Sequence, residues 1–206
     1  MPSILLTKPN ATFIHIPNTG GKTVLSLWPN SLKAPTSKEG IPDEWPTSNF
    51  KFAFIRHPID RFVSAFNMFA YGVTKYDKDG KAMESRDPIL PNTSIHQFKD
   101  LVLHGDDYHA EWSVSWHTIP MTHPHNMLDR ADWVGRYERF DNDLESLCQF
   151  LGLTNNHLRV NVSNKKQTWK ETFMKLSPDD REGVIDFYRE DFKSLRYEIP
   201  YSLSGT

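Results

Sequence analysis

A chain of 206 residues is long enough for one substantial core, and a single domain over 1–206 is the expectation. A formal charge of -2 argues against a general nucleic-acid or acidic-membrane binder, and the one cysteine, Cys148, excludes an intrachain disulfide framework and a cysteine-based metal cluster. No apolar run reaches membrane-span length and the N-terminal run is too short for a secretion signal, so a soluble, cytoplasmic protein, or a soluble domain excised from a larger one, is expected.

Residues 12–27, TFIHIPNTGGKTVLSL, organise the rest of the chain. Residues 12–16 are β-branched and aromatic and predict a buried strand, which Pro17 stops. Gly20 and Gly21 permit a tight turn, and Lys22 and Thr23 open a helix whose apolar side holds Val24, Leu25 and Trp28. Successive N–H groups at such a turn form an anion nest, to which the helix N-terminus adds its dipole. An ordinary strand-turn-helix corner has the same pattern, so both readings stand at this point. Ile16 occupies the first glycine position of a full GxxxxGK[ST] loop, leaving GGKT.

Residues 29–49 are rich in proline and small polar residues and read as a connection with, at most, one helical turn. Residues 50–55, FKFAFI, predict a second buried strand running into Arg56. Pro58 suits the first position of a helix whose apolar stripe is Ile59, Phe62, Val63, Phe66, Phe69 and Ala70. Its other side is expected to show Arg61, Ser64 and Asn67. Residues 71–93 are polar with scattered Gly and Pro and read as an excursion from the sheet. With the segment that follows they define an insertion or acceptor-side region at 71–125. Ser94 is placed to cap a helix carrying Ile95, Phe98, Leu101 and Val102. Five histidines fall in 104–125, but neither HExxH nor a paired-cysteine arrangement accompanies them, and no metal is expected.

Residues 131–137, ADWVGRY, predict a third strand, with Glu138 at its end. The following helix has Phe140, Leu144, Leu147, Cys148 and Leu151 on one face and is ended by Gly152. Residues 158–162 suggest a short extended piece that leads into the basic sequence NKK at 164–166. Ser177, Pro178, Asp179 and Asp180 form a strong helix start, and Val184, Ile185, Tyr188 and Phe192 give that helix its buried side. Strands alternating with helices predict an α/β fold with a mostly parallel central sheet. Ligands of such sheets bind beyond the strand carboxyl ends, where 20–23, Arg56 and Glu138 all fall.

FIHIPNTGGKTV, FAFIRHPIDRFVSAF and VGRYERFDNDLESLCQFLGL, followed by NVSNKK and DFYREDFKSLRY, together resemble the PAPS-dependent carbohydrate sulfotransferases. The similarity is to the branch with a HIPKTGG-type first motif, near the heparan and chondroitin sulfotransferases. It spans nearly the whole chain and weakens over 29–49 and 71–125. The resemblance implies a three-layer, P-loop-like sulfotransferase fold that binds PAPS and releases PAP. It implies that Pro17, Asn18, Thr19, Gly20, Gly21, Lys22 and Thr23 hold the 5′-phosphosulfate. Arg56 and Ser64 would hold the 3′-phosphate, with Lys165 and Lys166 in a late nucleotide-contacting loop. A guanidinium fork and a hydroxyl suit a group with several acceptor oxygens. Arg61 is also in the motif; its ordinary structural alternative is a pair with a nearby acid.

One departure from the pattern bears on catalysis. The family has a lysine where this chain has Asn18, and Lys22 stands where the family has threonine or serine. Either Lys22 takes over the electrostatic role at the leaving phosphate, or the chain binds the donor with little or no turnover. His109 lies in a DxH piece similar to a short family block and is expected to act as base or acceptor-binding residue, or else to buttress the pocket. Trp112 and Trp116 would stack on sugar rings or serve packing. The expected function is sulfuryl transfer from PAPS to a hydroxyl, first on a glycan and otherwise on a small hydroxylated acceptor. The alternative is a non-catalytic nucleotide- or glycan-binding protein. A P-loop kinase is disfavoured by the missing glycine and by Arg56-His57 where a magnesium-binding acid would stand. Acceptor identity and oligomeric state are not encoded legibly.

Overall fold

The computed structural model describes residues 3–6, 10–27, 32–33, 50–76, 82–105, 114–154, 162–163 and 167–200. In chain order they form β1 (Ser3–Leu6), β2 (Ala11–Ile14), α1 (Gly21–Ser26), β3 (Leu32–Lys33), β4 (Phe50–Ile55), α2 (Pro58–Tyr71), β5 (Val73–Tyr76) and β6 (Ala82–Arg86). These are followed by α3 (Ile95–His104), α4 (Val114–Thr118), β7 (Trp133–Arg136), α5 (Phe140–Phe150), β8 (Val162–Ser163), α6 (Trp169–Phe173), α7 (Pro178–Phe187) and α8 (Arg189–Ser194). The chain divides into two compact units, one of Met1–Arg56 with Met121–Val160 and one of His57–Pro120 with Asn161–Thr206.

The first unit is built on a five-stranded sheet in the order β3-β1-β2-β4-β7. β2, β4 and β7 run parallel, with Phe13 opposite Phe52 and Ile55 opposite Arg136. β1 is antiparallel to both β2 and β3. Parallel strands are covered on both faces, so their sequences read as apolar runs rather than alternations. One face sets Ala11, Phe13, Phe52 and Phe54 in a common core with Val24 of α1 and Phe140, Leu144, Leu147 and Cys148 of α5. The residues between them, Ile14, Ala53 and Ile55, are buried as well. Phe13 and Phe52 stack across the strands at 5.2 Å, and Phe54 meets Phe140 at 4.8 Å. Each such ring pair contributes about 0.5–1.5 kcal/mol beyond its buried area. Burial pushes the Cys148 thiol up, and its place in the core is the one the helical spacing predicts.

This is an α/β fold with a central, mostly parallel sheet flanked by helices, as the alternation of apolar segments predicts. The antiparallel edge is the departure. SILL at 3–6 forms β1, and the stretch 29–49, expected to be a connection, contributes β3. The third strand is shorter than its sequence run, Trp133–Arg136 rather than 131–137.

The second unit has a helical core. The apolar stripe of α2 is fully buried and packs with Ile95, Phe98 and Val102 of α3, Phe173 of α6 and Val184 of α7. Two expectations about α2 and α3 are corrected. Arg61 and Asn67, assigned to the polar side of α2, are buried, whereas Leu101 of α3 is 43% exposed. The segment after α2 forms a hairpin of β5 and β6, and β8 adds to β5, making a small antiparallel sheet separate from the first. Helix starts follow their sequence signals. Ser94 accepts from the Gln97 N–H at 3.2 Å and completes a capping box. Ser177 accepts from the Asp180 N–H at 3.1 Å, with Pro178 in the first turn. Thr168 and Glu171 form a second capping box that sequence inspection missed; the N–H of Thr168 holds the Glu171 carboxyl below the usual range.

Candidate active site at the carboxyl edge of the parallel strands

β2 ends at Ile14, and six residues carry the chain into α1. The Thr19 hydroxyl is fully buried and donates to the Ile16 carbonyl at 2.8 Å, so this side chain is committed to the turn itself. Asn18 and Gly20 both take left-handed backbone conformations, at φ 65° and 91°. Asparagine is one of the few side chains that adopt this region readily, which accounts for the residue type at 18. The N–H groups of Thr23 and Val24 then close on the Gly20 carbonyl at 2.9 and 3.3 Å and start the helix. A Cβ on Gly20 would sit 2.6 Å from the Phe140 ring, and one on Gly21 would sit 2.1 Å from the His15 ring. Side-chain packing therefore favours glycine at both positions, and the left-handed backbone adds a second demand at Gly20 alone.

Lys22 is half-buried in the first turn of α1, and Pro17 and Thr23 are buried on either side of the corner. N–H groups at a helix start have no carbonyl one turn back within the helix and present partial positive charge. Arg56 leaves the end of β4 and donates from Nη1 to the Asn18 carbonyl at 3.1 Å. Its guanidinium lies 4.0 Å over the ring of Tyr137, just past the end of β7. One arginine thus touches the loops that follow β2 and β7, and the carboxyl ends of three parallel strands converge as the topology requires. A stack of this kind contributes about 0.5–2 kcal/mol and holds the fork in a fixed plane. Glu138 is exposed in the short 3-10 turn Tyr137–Arg139. Tyr137 was not singled out in the sequence; its signal was an aromatic at a strand end in register with an arginine one strand away.

This donor set suits an anionic group with several acceptor oxygens: a lysine in the first helical turn, backbone N–H groups at a left-handed corner, and an oriented guanidinium. In the second unit, Ser64 is half-buried on α2, and β8 packs against the same helix just before residues 164–166. Asn67 lies one turn beyond Ser64 and is buried, and its Oδ1 has no hydrogen-bond partner among the described residues. Arg61 behaves differently from the expected acid pair. It is fully buried and donates to the carbonyls of Ile119 at 2.8 Å and His117 at 3.0 Å. His109, Glu111, Trp112, Lys165 and Lys166 lie outside the described residues. Trp116 is half-buried on α4, and the His123 ring accepts from the His125 N–H at 3.2 Å in a local turn. Among the described residues no group of three or more His, Cys, Asp or Glu is placed to hold a metal, and no helix is long and apolar enough to cross a membrane.

Comparison with known proteins gives the site its context. The chain is 24% identical to carbohydrate sulfotransferase 11 of Mus musculus over 174 residues, covering 74% of this chain and 48% of the relative. The Rattus norvegicus protein of the same name aligns with the same figures, and carbohydrate sulfotransferase 9 of Homo sapiens is 25% identical over 170 residues, 73% of this chain and 38% of the relative. The chain therefore spans about half the length, or less, of the curated relatives it matches. No solved structure matches it. The family model described as "Sulfotransferase family" matches residues 15–198, from the end of β2 to the C-terminal tail, and the chain belongs to that family.

Proposed function

We propose that this chain moves a sulfuryl group from PAPS to a hydroxyl on a carbohydrate, with residues 1–206 acting as one sulfotransferase domain and 71–125 on the acceptor side. The observation that carries the reading is Arg56. It is held by Asn18 and Tyr137 at the sheet edge, against the turn that carries Lys22. PAPS, when bound, supplies the sulfuryl group. The corner 17–23 binds the 5′ end through its N–H groups and Lys22, and Lys22 opposes the negative charge that grows on the leaving phosphate. Arg56 binds the 3′-phosphate by charge-assisted hydrogen bonds, a role shared with Ser64 and with Lys165 and Lys166. His109 accepts the proton of the acceptor hydroxyl. The carbohydrate names of the relatives support a glycan acceptor for this chain.

Asn18 favours a second reading, donor binding without appreciable turnover. Its left-handed backbone and its carbonyl bond to Arg56 make it an integral part of the corner in place of a charged residue. Titration calorimetry with PAP and initial rates with labelled PAPS, using desulfated chondroitin and heparan chains as acceptors, separate the two. Arg56→Ala should weaken PAP binding by about 10–100-fold, the equivalent of losing one or two hydrogen bonds to a charged group. Lys22→Ala should reduce turnover with less effect on PAP affinity. A folded wild-type chain that ignores millimolar PAP overturns the proposal, and PAP binding without transfer selects the second reading.

A further inference from the structure

His15 has no task in the sulfuryl-transfer reading, yet it stands where β2 hands the chain to the corner that carries Lys22. It is the first residue after β2 and is half-buried. Its ring meets that of Phe13, two residues back, at 5.4 Å, and Phe13 in turn stacks on Phe52 at 5.2 Å. Phe13 and Phe52 are fully buried. The imidazole is therefore the half-buried end of a row of rings rooted in the core, which fixes its orientation before the chain reaches the turn.

One edge of that ring lies against Gly21, the first residue of α1. A Cβ at Gly21 would sit 2.1 Å from both Cδ2 and Nε2 of His15 and 3.1 Å from Cε1. Unlike Gly20, Gly21 does not take a left-handed backbone, so its own conformation would accept a side chain. The imidazole is what excludes one. At the preceding residue the Phe140 ring excludes a Cβ from Gly20 in the same way. α1 has six residues, too few to fix its first turn by helical bonds. Its start is located by these two rings, one from the end of β2 and one from α5. Histidine suits the first of them, because a flat ring packs on a glycine while its nitrogens tolerate partial exposure.

We propose that His15 is a positioning residue for the donor corner: its ring edge sets how closely the first turn of α1 approaches the end of β2, and thereby where Lys22, the next residue, stands toward the leaving phosphate. Acting through Lys22, the ring bears on the transition state more than on the bound donor. This inference rests on the sulfuryl-transfer reading of the corner and adds to it a residue outside 17–23.

The test is a cycle of His15→Ala, Gly21→Ala and the double variant. Cys148→Ala, a truncation in the same core, controls for general destabilisation. His15→Val, which keeps a strand-forming side chain and removes the ring edge, serves the same cycle if His15→Ala does not fold. Each folded protein is titrated with PAP by calorimetry and assayed for kcat and KM with labelled PAPS and desulfated chondroitin. His15→Ala should lower kcat by about 10–100-fold and PAP affinity by about 3–10-fold. Gly21→Ala should lower PAP affinity by about tenfold or more while the ring is present, and by less than about twofold once it is gone. Cys148→Ala should leave PAP affinity and kcat unchanged. Equal losses of PAP affinity from Gly21→Ala in both backgrounds would overturn the proposal. So would wild-type PAP affinity and turnover in His15→Ala, or a loss of PAP affinity in Cys148→Ala as large as in His15→Ala. If the wild-type chain binds PAP without transfer, the cycle is decided on PAP affinity alone. A wild-type chain that ignores millimolar PAP fails the functional reading itself and takes this inference with it.

Discussion

Gly20→Ala tests why the corner between β2 and α1 has its shape. Gly20 sits at φ 91°, where an L side chain costs about 1–2 kcal/mol. A Cβ there would lie 2.6, 3.1 and 3.2 Å from three carbons of the Phe140 ring. That ring is 7% exposed and bounded by Phe54 at 4.8 Å and Tyr137 at 5.8 Å, so it has little room to withdraw. Overpacking of this kind adds about 1–3 kcal/mol, for a total of about 2–5 kcal/mol. Urea unfolding of Gly20→Ala, Phe140→Leu and the double variant separates the two contributions. Leucine lacks the ring edge, so the alanine should then cost only its backbone share of about 1–2 kcal/mol, leaving a coupling of about 1–3 kcal/mol. Equal costs in both backgrounds would refute the packing argument, and a total cost under about 0.5 kcal/mol would refute both parts.

Asn18→Lys restores the family residue at a left-handed position and should cost about 1 kcal/mol of stability by denaturant unfolding. If Lys22 already supplies the charge, turnover with labelled PAPS should rise less than about tenfold; a rise of about 100-fold would show that it does not. Asp180 is bonded by Lys99 at 2.9 Å, by the Ser177 cap and by His96 at 3.3 Å, which draws its pKa from 3.8 down to about 2. Its folded pKa is depressed, so its contribution is present above about pH 3.8 and is lost as the pH falls through about 2. Asp180→Asn should lower the unfolding midpoint at neutral pH, and the gap to wild type should shrink across that acid window. Ser94→Ala removes a capping box and should cost about 1 kcal/mol, read from the same unfolding curves.

The parallel strands β2 and β4 and the helices α2, α3, α5 and α7 were legible because apolar period and cap residues agree. FKFAFI has no polar alternation, and Pro58, Ser94 and Ser177 each mark a start that the backbone obeys. β1 and β3 were not, since four residues and two residues carry too little pattern to stand out beside prolines. The convergence of the 17–23 corner, Arg56 and Glu138 on one sheet edge followed from topology. Partner identity did not. Arg61 carries the polar signature of a solvent-facing or ligand-facing residue, yet it satisfies two carbonyls 56 and 58 residues away. Long-range backbone acceptors leave no mark on sequence. The two glycines were legible as a turn, but the pressure of Phe140 and His15 on them was not.

The interleaving of the two units has a consequence for biosynthesis. In the emerging chain, β4 must wait for its neighbour: Lys51 and Asp132, joined by a 2.7 Å bond beside the β4–β7 pairing, are 81 residues apart. Until β7 and α5 leave the ribosome, the aromatic face of β2 and β4 has no C-terminal cover, and contacts closed over such spans form slowly. Nascent chains stalled anywhere between 57 and 132 should therefore be good clients for chaperones that bind exposed phenylalanines, and release from them should coincide with synthesis of α5.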